Sequence, residues 1–127
     1  MQGKALIVDD EEKEIFQIVL EDEGLTCVFA DDGEEALRVV EKERPDVILL
    51  DLLMPKVGGE EFLKRMKQMG LVNSVGIIIT TGFNDFGATK QRILSSYPVD
   101  FYLDKPISND DLIAKVKQSL EKRRDRV

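Results

Sequence analysis

Histidine and tryptophan are absent from this chain of 127 residues, and cysteine occurs once. Without histidine there is no histidine-based catalysis and no histidine–metal centre. A single cysteine, Cys27, excludes an internal disulfide. Within Thr26-Cys-Val-Phe-Ala30 it reads as a small buried hydrophobe in a reducing compartment. No apolar run approaches the ~18–20 residues of a membrane span. The one apolar stretch near the N-terminus, Ala5–Val8, is closed by the acids Asp9, Asp10, Glu11 and Glu12, which a secretory signal does not carry. The expectation is a soluble, cytoplasmic chain with no membrane partner.

An excess of basic residues is missing as well. The net charge of −7 repels nucleic-acid phosphates, so direct nucleic-acid binding is not expected. Lys122, Arg123, Arg124 and Arg126 cluster near the end of the chain. They suit a solvated last helical turn, where cations complement the helix dipole. Apolar and charged fractions of 43% and 34% are those of an ordinary globular protein, and residues 1–127 suit a single domain.

Short apolar runs alternate with amphipathic stretches. Lys4–Val8, Thr26–Ala30, Asp46–Leu50, Val75–Thr80 and Val99–Leu103 read as strands. Asp46-Val-Ile-Leu-Leu and Val75-Gly-Ile-Ile-Ile are nearly continuous apolar runs, as parallel strands covered on both faces require. Helices are predicted over Glu11–Asp22, from Asp32 through Val40 with Pro45 just past the end, over Gly59–Gln68, over Asp85–Ser95 and from Ser108 to about Arg123. The first places Ile15, Ile18 and Val19 on one face and stops at Gly24. Asp32-Gly-Glu-Glu35 resembles a capping box ahead of Ala36, Val39 and Val40. Phe62, Leu63 and Met66 mark the third inner face, and Ser108 caps a helix burying Leu112, Ile113, Val116 and Leu120. Five strand–helix repeats imply an α/β flavodoxin-like sandwich with parallel sheet order 2-1-3-4-5.

In such sheets ligand sites form at the carboxyl ends of the strands, where the order reverses between strands 1 and 3. Asp9 and Asp10 end strand 1, and Asp51 ends strand 3, so three carboxylates converge on one edge. Either Asp9 or Asp10 also suits a cap for the first helix, but capping does not account for Asp51. Carboxylates this close repel one another, and a hard divalent cation relieves that repulsion. An oxygen-only donor set favours Mg²⁺ over zinc. Strand 4 ends in Thr80-Thr81-Gly82 and strand 5 in Asp104-Lys105-Pro106, adding a hydroxyl and an ammonium to the same edge. Acids, a metal, a hydroxyl and an ammonium together suit phosphoryl transfer to a carboxylate oxygen.

The motifs Leu6-Ile-Val-Asp-Asp10, Asp51-Leu-Leu-Met-Pro55 with Gly59, Thr81-Gly82 and Tyr102-Leu-Asp-Lys-Pro106 follow in order, each at a strand end. In this the chain resembles the response-regulator receiver domains of two-component signalling, from about Lys4 to Leu120. The resemblance implies that Asp51 is the phospho-acceptor. Asp10 would ligate Mg²⁺ directly, Asp9 would support it, and the Leu53 backbone carbonyl would be a further ligand. Thr81 and Lys105 would contact the phosphoryl group, and Tyr102 would be the aromatic that changes rotamer as Thr81 moves. A histidine kinase or phosphotransfer protein would be the donor. A downstream protein would read the face of helix 4, strand 5 and helix 5.

The segment from Thr81 to Lys105 is about two residues longer than the commonest family spacing, and Ser95-Ser-Tyr-Pro98 stands where a Gly-Ala pair is usual. Leu53 and Phe83 follow Asp51 and Thr81 by two residues, positions that flank the path of the hydrolytic water in the family. Apolar groups there predict slow dephosphorylation. An aspartate-nucleophile phosphatase of the haloacid dehalogenase type wants an acid where Leu53 stands. A flavodoxin wants small hydroxyl and glycine residues where Asp9–Glu12 stand. A degenerate receiver, acting as a phosphorylation-independent binding module, would not need the complete set of residues found here. The expectation is therefore a phosphoryl acceptor rather than a metabolic enzyme.

Overall fold

The computed structural model describes residues 1–125, with side chains described through Lys122. Strands β1 (Lys4–Val8), β2 (Thr26–Ala30), β3 (Val47–Leu50), β4 (Gly76–Thr81) and β5 (Phe101–Asp104) form one parallel sheet in the order β2-β1-β3-β4-β5. Helices α1 (Lys13–Asp22), α2 (Gly33–Glu43), α3 (Gly59–Gln68), α4 (Ala88–Ser96) and α5 (Asn109–Asp125) alternate with them. This is the flavodoxin-like arrangement that the alternating pattern predicts. Arg126 of the basic cluster lies outside the described residues.

Both faces of the sheet are covered, which is why the central strands are continuously apolar. On one side Leu6, Ile48, Leu50, Ile77 and Ile79 pack against Ala36, Val40, Phe62, Met66 and Ile93 of α2, α3 and α4. On the other, Ala5, Ile7, Val47, Leu49 and Ile78 pack against Phe16, Leu20, Leu112 and Val116 of α1 and α5. The two faces follow the period-2 alternation of strand side chains.

The predicted inner face of α1 is corrected. Ile15 and Ile18 are 57% and 70% exposed, and Phe16 and Leu20 are the residues that α1 buries. Apolar spacing alone favours Ile15, Ile18 and Val19, and of these Val19 does pack, partly buried, against the core. The spacing of four between Phe16 and Leu20 instead brings the aromatic ring and the leucine onto the sheet together. α1 also starts two residues later than predicted. The backbone N–H groups of Glu11 and Glu12 both donate to Asp9 Oδ1, at 2.8 and 3.0 Å, and hold that segment as a turn.

α2 begins as its sequence suggests, with the Glu35 N–H donating to the Asp32 carboxylate at 2.9 Å. The Asp111 N–H donates to Ser108 Oγ at 3.1 Å, so Ser108 caps α5. α4 starts three residues after the predicted Asp85, because residues 84–87 form a loop in which Phe86 and Gly87 have φ of +61° and +85°. Asp85 still anchors the helix, accepting from Thr89 N–H at 2.9 Å and Thr89 Oγ1 at 2.6 Å. No helix among the described residues is long and apolar enough to cross a membrane.

Candidate functional site

The carboxyl ends of β1 and β3 lie side by side at the point where the strand order reverses. Asp9 follows Val8 at the end of β1, and the Asp51 N–H donates to Val8 O at 2.9 Å, which locks the two strand ends in register. Carboxylate oxygens of Asp9, Asp10 and Asp51 all fall within 4.8 Å of one another. Asp9 is fully buried and Asp51 is 6% exposed, whereas Asp10 faces solvent. The three acids that the sequence brings to one edge are therefore one cluster.

Buried carboxylates need partners. Asp9 has three: Oδ1 takes the Glu11 and Glu12 N–H groups, and Oδ2 takes Lys105 Nζ at 2.8 Å. Asp9 thus fixes the β1–α1 turn as well as facing the cluster, which joins both readings of that residue. Asp51 Oδ2 lies 3.3 Å from Lys105 Nζ, and Oδ1 accepts the Leu53 N–H at 3.2 Å. Lys105 leaves the end of β5, where its N–H donates to Thr81 O at 2.9 Å, ahead of a cis bond to Pro106. Burial alone lowers the pKa of its ammonium, but the Asp9 hydrogen bond and the charges of Asp9 and Asp51 outweigh that and hold it above the ordinary value of 10.5. Lys105 is charged throughout the neutral range.

Thr81 is fully buried at the end of β4, and its Oγ1 accepts the Phe83 N–H at 3.2 Å. The hydroxyl proton remains available to a new acceptor. Tyr102 is half-buried, packs at the rim of the core, and has Lys90 Nζ 5.4 Å from its ring centroid. It lines a cavity of about 200 Å³ with Phe83, Asn84, Asp85, Gly87, Lys90 and Asp104. Burial first, then the charges of Asp104 and Asp85, hold its phenol protonated beyond the ordinary value of 10.0. Leu53 is 57% exposed at the mouth of the cluster and Phe83 is half-buried. Cys27 sits apart from all of this on β2, and burial, reinforced by Glu21, pushes its thiol up to about 11.

Two contributions lie beyond the residues singled out for chemistry in the sequence. A Cβ on Gly59 would stand 2.6 Å from Asp51 O and 2.8 Å from Leu52 Cα, so α3 begins against the backbone of Asp51 only because that residue has no side chain. Arg92 of α4 holds Glu60 of α3 through two hydrogen bonds of 2.8 Å. The 32-residue separation of that pair leaves no sequence signal.

The donor set fits a hard cation: carboxylate oxygens on one edge, two of them fixed by backbone and ammonium donors. The family model described as the response regulator receiver domain matches residues 5–117. The chain is 36% identical over 124 residues to the alkaline phosphatase synthesis transcriptional regulatory protein PhoP of Bacillus subtilis, covering 96% of this chain and 50% of that protein. It is 34% identical over 125 residues to the phosphate regulon transcriptional regulatory protein PhoB of Pseudomonas aeruginosa, covering 96% and 54%. The chain thus spans about half the length of these curated relatives. A CheY-like response regulator receiver domain protein from Methanospirillum hungatei superposes with a TM-score of 0.88, at 26% identity and 100% coverage of both chains. The receiver domain of the Francisella response regulator 1452 gives 0.84, at 30% identity, covering 94% of this chain and 98% of that one.

Proposed function

The chain belongs to the receiver-domain family of two-component response regulators, and on that premise we propose that Asp51 is its phospho-acceptor. The observation that carries this reading is the placement of Asp51. It is a nearly buried carboxylate at the end of β3, next to two further acids and 3.3 Å from a buried ammonium. One Asp51 oxygen acts as nucleophile toward the phosphorus of a histidine kinase or phosphotransfer protein, and the donor's nitrogen leaves with the electron pair. Lys105 neutralises charge on the phosphoryl oxygens, and Thr81 turns its free hydroxyl proton toward one of them.

Asp9, Asp10, Asp51 and the Leu53 carbonyl would hold Mg²⁺, which supplies charge neutralisation at the transferring group. The protein acts as a switch rather than as an enzyme on other substrates. Movement of Thr81 draws the loop over residues 82–87 inward, and Tyr102 turns into the cavity beside Phe83. The altered surface of α4, β5 and α5 is read by a downstream protein. Phe86, fully exposed at the head of α4, is its most prominent apolar group. The net charge of −7 supports a protein rather than a nucleic acid as the direct contact of this domain, and the setting is cytoplasmic.

Incubation with Mg²⁺ and acetyl phosphate, followed by intact mass, tests the reading. A single phosphoryl adduct is expected, lost on chelation of the metal and in Asp51→Asn. No adduct with several acyl phosphate and phosphoramidate donors would overturn it in favour of a phosphorylation-independent binding module.

A further inference from the structure

Lys90 stands on the first turn of α4, and the loop before it fixes its place. Asp85 accepts from the Thr89 N–H at 2.9 Å and from Thr89 Oγ1 at 2.6 Å, which ties the loop over residues 82–87 to that turn. The Gln91 N–H donates to Gly87 O at 2.9 Å and closes the turn around Lys90. The Lys90 residue is exposed, yet its ammonium makes no ion pair or hydrogen bond among the described residues. What it meets is an aromatic face. Nζ lies 5.4 Å from the centroid of the Tyr102 ring, inside the ~6 Å reach of a cation–π contact.

Little else that is polar holds Tyr102. Its hydroxyl has no hydrogen-bond partner among the described residues, and its ring packs half-buried at the rim of the core. Tyr102 and Lys90 line the same cavity of about 200 Å³, with Phe83 and Asp85. Turning into that space carries the ring toward Phe83 and away from a lysine that reaches it from the solvent side. The contact with Lys90 therefore belongs to one ring position and not to the other.

We propose that Lys90 is a positioning residue for the switch, its ammonium holding the Tyr102 ring in the resting position until the α4 loop moves. The inference rests on the reading of Tyr102 as the aromatic that turns when Asp51 is phosphorylated. A contact present in only one of two states favours that state by its own free energy. When Thr81 draws the loop over residues 82–87 inward, the Asp85–Thr89 anchor carries the first turn of α4 with it and displaces Lys90 from the ring. Loop and ring are coupled in this way, because neither reaches its phosphorylated position without giving up the contact. By linkage, whatever favours the resting ring opposes phosphorylation by the same factor.

The test uses the full chain with Lys90→Met, which keeps an apolar stem over the ring without the charge, and Lys90→Arg, which keeps a cation. The acetyl phosphate needed for half-phosphorylation in the presence of Mg²⁺ is read by intact mass. Lys90→Met is expected to need about two- to fivefold less than the parent, the scale of one exposed cation–π contact. Lys90→Arg should match the parent. Loss of a cation that merely attracts the anionic donor would move the value the other way. In a Tyr102→Leu protein the contact is already gone, so adding Lys90→Met should change nothing. An unchanged or raised requirement in Lys90→Met, or an equal fall in the Tyr102→Leu protein, would overturn the proposal while leaving Asp51 as acceptor. The chain has two tyrosines and no tryptophan, so Tyr97→Phe leaves Tyr102 as the one emitter. Quenching of its fluorescence by acrylamide should fall on phosphorylation. A phosphorylated protein with unchanged quenching would overturn the turning of Tyr102 and this assignment together. One that takes no phosphoryl group would overturn the reading of Asp51 as well.

Discussion

Lys105 Nζ sits 2.8 Å from Asp9 Oδ2 and 3.3 Å from Asp51 Oδ2, so the supporting acid holds the ammonium more closely than the acceptor does. The lysine side chain is only 12% exposed and Asp9 is fully buried. Removing one partner of such a pair leaves an uncompensated buried charge, which is strongly destabilising. Lys105→Met is therefore expected to lose about 3 kcal/mol in urea unfolding with chelator present. Added Mg²⁺ should recover more stability in this variant than in the parent, since the cation then takes over neutralisation of the three acids. Equal Mg²⁺ increments in the two proteins would show that Lys105 and the metal do not share those carboxylates.

Gly59 offers a second measurement. A Cβ there would stand 2.6 Å from Asp51 O, whereas one on Gly58 meets nothing nearer than Leu52 O at 3.4 Å. Gly59→Ala should cost about 1–3 kcal/mol by pushing α3 off the end of β3. It should also slow phosphoryl transfer by displacing Asp51. Gly58→Ala should stay within about 1 kcal/mol of the parent. The pair separates close approach from a general dislike of alanine in this loop, and urea unfolding with phosphorylation rates reads both.

The elements whose physics is local are legible in the sequence. Asp32 and Ser108 announce helix starts because a short polar side chain can reach a free N–H three residues on. The apolar runs of β3 and β4 announce central parallel strands, and the strand order then carries Asp9, Asp10 and Asp51 to one edge. What was not legible depends on distance or on competition. α1 carries apolar residues on two faces, and only the sheet decides that Phe16 and Leu20 go in while Ile15 and Ile18 stay out. The late start of α4 comes from Phe86 and Gly87 taking left-handed backbone angles, and Phe86 is not a residue that advertises them. Gly59 was visible as part of a motif, but the reason for it is the backbone of Asp51, eight residues earlier.

Leu53 and Phe83 bear on how long the phosphorylated state lasts. Leu53 is exposed at the mouth of the cluster, and Phe83 leads from Thr81 into the cavity beside Tyr102. Neither side chain can hydrogen-bond a water and aim it at the phosphorus. The phosphorylated protein is therefore expected to decay slowly. Leu53→Asn combined with Phe83→Glu should hasten hydrolysis by about tenfold or more, the usual scale of a positioned polar group. The decay of the intact-mass adduct after removal of the donor measures this, and an unchanged half-life would sink the assignment.

Glu60 and Arg92 tie α3 to α4 through a two-pronged contact, and Arg92 also reaches Thr89 Oγ1 at 3.5 Å, next to the Asp85 anchor of the α4 loop. The Arg92 and Glu60 side chains are 55% and 39% exposed, so the pair is worth at most about 0.5–1 kcal/mol at neutral pH. The Arg92 hydrogen bond, partly opposed by burial and helped by the Arg92 charge, holds the Glu60 carboxyl below its ordinary value of 4.5. A carboxyl depressed on folding contributes stability above its unfolded pKa and loses it as pH falls through the folded value. Glu60→Gln should therefore be slightly less stable than the parent at pH 7, and the difference should close as the pH is lowered until Glu60 is protonated in the folded protein as well. High salt at pH 7 should shrink it as well. Urea unfolding of both proteins across that range reads the effect. A gap that persists in acid would mean that shape, not charge, holds the two helices together.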